Sequence, residues 1–339
     1  MKIRKKIISL TMFDLLKGVG ILMVVFRHSV HTELAEVEQS VFWRLAYSVL
    51  MPLFFITSGY WLKKRSLKDG IVFSAKSLLK PYLIVMFLIN VVGFVHRMAI
   101  HNLDEWRTLF LKQSLLVISG NYSRIGAMWF VFALMVGWMI FYGLIQIENK
   151  RTRGLVSIGI CWVGTMVLSY KLPFQIAQGM IAQLFIYVGY IMKKEKLLEK
   201  KIPVIWGSVL ALIWLSIGYL SSREAICDLA TYRFGNGMPA VLSSLCGAFL
   251  IIKAGVQLSR VENRFIEKLG TIGRYTMWIL CIHSFEGAVV PWKYLFRLVG
   301  EESLAGSLFQ LILRGCFISC GCICLKKFLG GIKNVRKNY

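Results

Sequence analysis

Asp14, Lys17, Arg27 and His28 stand in one otherwise apolar run, Phe13-Asp-Leu-Leu-Lys-Gly-Val-Gly-Ile-Leu-Met-Val-Val-Phe-Arg-His28. Ionisable groups in such a run need a partner, an aqueous cavity or a role. At about 100° per residue, Asp14 and Lys17 lie one turn apart on one helix face. Lys17 and His28 differ by about 20° in azimuth and about 16 Å in height, so all three groups point the same way. Gly18 and Gly20 leave room beside them for a close neighbour. A cation at one end can hold an anionic group, and an imidazole at the other can exchange protons near neutrality. The plainer alternative pairs Asp14 with Lys17 at an interface and lets Arg27 and His28 snorkel to the opposite one.

Other chemistry-bearing residues are sparser. His31 lies one turn beyond His28, where an acceptor-binding role competes with a simple interfacial position. Ser58-Gly59 would allow close packing or shape a tunnel; a nucleophilic Ser58 would need a base that the sequence does not place beside it. His283 and Glu286 are one turn apart and could orient a substrate or bond structurally. Trp129, near Arg124, is an interface anchor or a platform for a sugar. Glu33, Glu36 and Glu38 read as a solvated loop just past His28. Cys316, Cys320, Cys322 and Cys324 have neither zinc-ribbon nor iron–sulfur spacing and are expected at a helix–helix contact. No metal cluster, nucleotide loop or serine-hydrolase elbow is present in the sequence pattern, and no permanently bound cofactor is expected.

The elements that must position these groups follow from composition. Of 339 residues, 57% are apolar and 17% charged, and the apolar ones fall in blocks long enough to cross a bilayer. An all-α polytopic membrane protein of about ten transmembrane helices is expected, as one domain over residues 1–339. The spans are placed at 9–31, 42–62, 80–99, 126–146, 154–170, 174–192, 202–220, 238–257, 275–292 and 305–325. Leu115–Ile118 is too short to cross. The formal charge of +24 would suit a nucleic-acid binder, but Lys and Arg cluster between apolar blocks, which argues against one. Segments 1–6, 63–80, 148–153, 193–201, 260–274 and 326–339 hold 27 of the 41 Lys and Arg residues. They fall on one side only if there are ten crossings, with N- and C-termini cytoplasmic. Asp14 and Lys17 interrupt the first run, which reads as an uncleaved helix rather than a signal peptide.

Phe13-Asp14-Leu15-Leu16-Lys17-Gly18 with His28 resembles the first-helix signature of the acyltransferase 3 family of membrane O-acyltransferases. The resemblance continues through Met51-Pro-Leu-Phe-Phe-Ile-Thr-Ser-Gly-Tyr60, Lys80-Pro81-Tyr82, Met128-Trp129-Phe130 and Tyr275-Thr-Met-Trp-Ile-Leu-Cys-Ile-His283. The Lys17-Gly18 variant is most similar to the fucose 4-O-acetyltransferase-like branch. Similar segments occur in vancomycin-type serine racemases, whose racemase domain does not follow here. The resemblance implies ten helices in a bacterial plasma membrane and a cytoplasmic acyl-CoA, commonly acetyl-CoA, as co-substrate. It also implies an extracytoplasmic glycan or other envelope acceptor, with His28 as general base.

On that reading Asp14, Lys17, Lys76 and Lys80 serve the donor, and His31, Ser58, Trp129, His283 and Glu286 the acceptor. An extended pantetheine arm is about as long as the Lys17–His28 gap. Lys17 departs from the arginine of many members and acts as a point charge, not a bidentate fork. A homo-oligomer is compatible with all of this. The rival expectation is a transporter or flippase for an amino acid or a lipid-linked sugar, which would also use intramembrane charges.

Overall fold

A computed structural model describes residues 2–29, 40–100, 111, 114–115, 126–221, 229–297 and 304–328. His31, Glu33, Glu36, Glu38, Arg124 and Leu116–Ile118 lie outside them. Among the described residues the regular structure is all helical, and the longer helices are α1 (Lys2–Arg27), α2 (Val41–Trp61), α4 (Lys80–Ile100), α5 (Trp129–Leu144), α6 (Lys150–Val167), α7 (Ile176–Lys194), α8 (Val204–Ser221), α9 (Met238–Leu258), α11 (Thr276–Val289) and α13 (Leu304–Phe328). Shorter ones are α3 (Leu67–Ser74), α10 (Arg264–Arg274) and α12 (Trp292–Arg297). Among the described residues, seven helices are long and apolar enough to cross a membrane, as a polytopic membrane protein requires.

Local sequence sets the helix ends. Ser40, Asn149 and Asn263 cap α2, α6 and α10, each side chain accepting a hydrogen bond from a backbone N–H of the first turn. Ser66 and Asp69 bond reciprocally to start α3. Residues 63–80, expected as a basic loop, instead hold α3 and a π-helical turn, Ala75–Leu79, that runs into α4. Pro81 sits just beyond that turn and lacks the N–H that an α-helical ladder would use there. Residues 260–274, also expected as a loop, contain α10. Its Arg264, Phe265 and Lys268 are exposed while Gly270 and Gly273 are buried.

Helix α7 is the hub, packed between α2, α5 and α6. Small residues bring the backbones together. A Cβ on Gly59 of α2 would strike the Ile186 backbone of α7, and one on Gly189 would strike the Ile56 backbone of α2. Helix α1 crosses α10 in the same manner, with Gly18 against the Leu269 carbonyl and Gly273 against that of Asp14. Polar staples hold other pairs: Ser157 Oγ donates to Gln183 Oε1 at 2.9 Å, and Trp214 Nε1 donates to Ser48 Oγ at 3.0 Å. Helices α4, α6 and α8 turn apolar side chains such as Phe87, Trp162 and Ile205 outward, as expected where lipid is the solvent. Cys316, Cys320 and Cys324 also face outward on α13, so they do not form the internal helix contact expected for them.

Candidate active site

Two polar centres lie along α1, one at its middle and one at its C-terminal end. Near its middle Asp14 and Lys17 form an ion pair of 3.1 Å, both partly buried. Phe13 packs on the rings of Tyr60 and Trp61, with centroids 4.6 and 6.0 Å away. The Lys193 ammonium lies 5.0 Å from the Trp61 ring centre. Close by along α2, Ser58 Oγ accepts a 2.7 Å hydrogen bond from Trp138 Nε1. Trp138 stacks on Phe73, whose ring carries the Arg65 guanidinium at 4.1 Å. The result is a rim of cations seated on aromatic rings, suited to anionic groups near a planar one. Lys76 and Lys80 are exposed on the π turn and α4. Ser58 is engaged by Trp138, and Gly59 serves the α2–α7 crossing.

At its C-terminal end, α1 stops at Arg27 and places His28 against α11 and α13. The His28 and His283 rings lie 5.1 Å apart between centroids, tilted by 52°. His283 Nδ1 is 2.8 Å from Glu286 Oε1, and Arg314 of α13 donates to the same oxygen at 2.7 Å. His283 is 3% exposed, Glu286 0% and Arg314 6%. One turn of α11 sets His283 and Glu286 on the same side, and α13 supplies the counter-charge. A buried carboxylate with one arginine and one imidazole is compensated, whereas removing either partner would strand it. Glu286 Oε2 has no hydrogen-bond partner among the described residues. Arg314 also stacks on Trp292 at 4.6 Å, and Gln310 Nε2 approaches the His28 carbonyl at 3.5 Å.

His28 differs from these neighbours in keeping accessible surface. It is thus the imidazole that a substrate can reach, while the His283–Glu286–Arg314 row stands behind it. The turn Gly126–Met128 packs on α11, and Trp129, the next residue, is 5% exposed. Burial there excludes a lipid-facing anchor for Trp129. Among the described residues no three His, Cys, Asp or Glu side chains gather as a metal site would need.

The structure therefore joins His28, His283 and Glu286, and Asp14 with Lys17. It places Ser58 near the Asp14–Lys17 centre and leaves Lys76 and Lys80 at the surface. Arg314, Trp292 and Gln310 were not anticipated. The signal for Arg314 was present in the sequence, as a lone cation inside the apolar run 305–325.

No curated protein and no solved structure matches the chain. The sequence model of the family described as "Acyltransferase domain" matches residues 11–326, which include both polar centres. The chain belongs to the acyltransferase 3 family of membrane acyltransferases.

Proposed function

We propose that this protein moves an acyl group, acetyl in the simplest case, from cytoplasmic acyl-CoA to a hydroxyl of an extracytoplasmic carbohydrate or related envelope acceptor. Ten crossings of a bacterial plasma membrane would put both termini in the cytoplasm, a sidedness that the Lys and Arg distribution supports. The Lys17 centre then faces the donor, and the His28 centre faces the acceptor. The single observation that carries this reading is the accessible His28 beside the buried His283–Glu286–Arg314 row. An imidazole is the usual proton carrier for hydroxyl attack on a thioester.

The step balances without any other reactant. A ring nitrogen of His28 takes the acceptor hydroxyl proton as that oxygen attacks the thioester carbonyl. The new C–O bond forms, the C–S bond breaks, and the coenzyme A thiolate recovers the proton from His28. Lys17, steered by Asp14, neutralises a donor phosphate as a point charge, with Lys193, Arg65, Lys76 and Lys80 adding positive field at the same end. Ser58 shapes the wall between the centres. Trp129, His283, Glu286 and His31 belong to the acceptor side. Glu286 fixes the orientation of His283, in the way that a carboxylate orients an imidazole elsewhere.

The test is transfer of labelled acetyl from acetyl-CoA to envelope glycans by purified protein, with His28→Ala alongside. Loss of about 100-fold or more in rate, at unchanged expression and melting temperature, is expected for removal of a general base. An active His28→Ala variant contradicts the assignment. Solute uptake into liposomes without any acetyl transfer favours the transporter reading instead.

A further inference from the structure

Away from both centres, residues 170–178 and 229–237 build a third polar feature. Lys171, Phe174, Gln175 and Tyr232 all have positive φ, between 52° and 62°, a backbone state that costs energy for any residue with a Cβ. Gln175 Nε2 reaches Tyr232 Oη at 3.5 Å, and the Lys171 ammonium lies 6.0 Å from the Tyr232 ring centre. Phe174 stacks on Phe132 of α5 with ring centroids 6.2 Å apart. Helix α7 starts directly below this cap, and its N-cap residue makes no side-chain capping bond.

In its first turn stands Gln178, 0% exposed, with neither amide atom bonded to any partner among the described residues. Helical side chains lean toward the N-terminus, the end that the cap covers. A buried amide with both ends unmet costs on the order of 1–3 kcal/mol or more. The fold therefore leaves it ready for a partner that brings its own donors and acceptors.

We propose that this cap is a subsite for a remote ring of an oligosaccharide acceptor, a proposal that rests on the carbohydrate reading above. The chemistry fits a sugar. Half-open rings of Phe174 and Tyr232 offer flat apolar faces to C–H groups, the Gln178 amide carries N–H donors and a carbonyl acceptor for hydroxyls, and the Lys171 ammonium donates to an acidic substituent. The cap is also connected to the reaction centre. Helix α5 carries Phe132 one turn from Trp129, and the Gly126–Met128 turn just before it packs on α11, which bears His283. An acceptor held at both places must span more than one sugar unit. The protein is thus a modifier of chains rather than of free monosaccharides.

The probe is a set of oligosaccharides two to six units long, released by mild acid from the envelope of the same cells. Acetyl transfer to them and their direct binding by tryptophan fluorescence are both measured. Gln178→Leu and Tyr232→Leu are each expected to raise the acceptor KM about tenfold with the acetyl-CoA KM unchanged. The advantage of longer over shorter acceptors should shrink in both variants. An unchanged acceptor KM with a raised melting temperature in Gln178→Leu means a buried water only, and overturns the subsite. Failure of the wild-type protein to bind any of the set overturns it as well. Binding that both variants weaken, in a protein that transfers no acetyl, keeps the subsite and rejects the acyltransferase step.

Discussion

At the residue scale, the most consequential group is Glu286, because the whole reactive end depends on its compensation. Its one bonded oxygen is shared by His283 and Arg314, and no water-facing surface softens the charge. Arg314→Met should therefore cost about 3 kcal/mol or more of stability by leaving that carboxylate unmatched. Adding Glu286→Gln to it should recover most of the loss, which a thermal unfolding series in detergent would read. A double variant no more stable than Arg314→Met would show that the two groups are not coupled. Glu286→Gln alone keeps the shape but weakens the bond that orients His283. It should lower kcat about ten- to a hundredfold while the acetyl-CoA KM stays put. A donor KM that rises with it would relocate Glu286 from positioning to the donor path.

At the scale of elements, the positions of the two centres depend on one helix being held fast. Helix α1 carries both, and α10 clasps it where Gly18 and Gly273 meet backbone to backbone. Gly273→Ala would drive a methyl group into the Asp14 carbonyl, so α1 must shift. The expected cost is about 1–3 kcal/mol, with loss of donor affinity exceeding loss of acceptor affinity, as separate KM measurements would show. Neither the clasp nor α10 itself was legible beforehand. Residues 260–274 read as a charged cytoplasmic loop, because an eleven-residue amphipathic helix mimics a polar connection when only spans of bilayer length are sought. The π turn before α4 was equally silent, since Pro81 signals a break but not which widened turn absorbs it. By contrast the helices themselves were plain, because in lipid an apolar block has almost no alternative to being a helix.

At the scale of the whole molecule, the chain is an acyltransferase built as a bundle whose first helix links two ends of different chemistry. The sequence exposed the pairing of Asp14 with Lys17 by their interval of three. It exposed the pairing of His283 with Glu286 by their interval of three. It did not reveal that α11 and α1 meet at His28, since contacts between distant helices leave no periodic trace. Gln178 was invisible for the opposite reason: an amide in an apolar run looks harmless until its lack of partners is seen. Sidedness is where all scales meet, for the proposed reaction needs the donor at the Lys17 end and the acceptor at the His28 end. The direct test uses proteoliposomes of purified protein with uniform orientation, acetyl-CoA on one face and envelope oligosaccharide on the other. The prediction is labelled oligosaccharide only when acetyl-CoA is on the face bearing Lys63, Lys64 and Arg65 and the oligosaccharide is opposite, with none in His28→Ala. Transfer that requires donor and acceptor on the same face would contradict it.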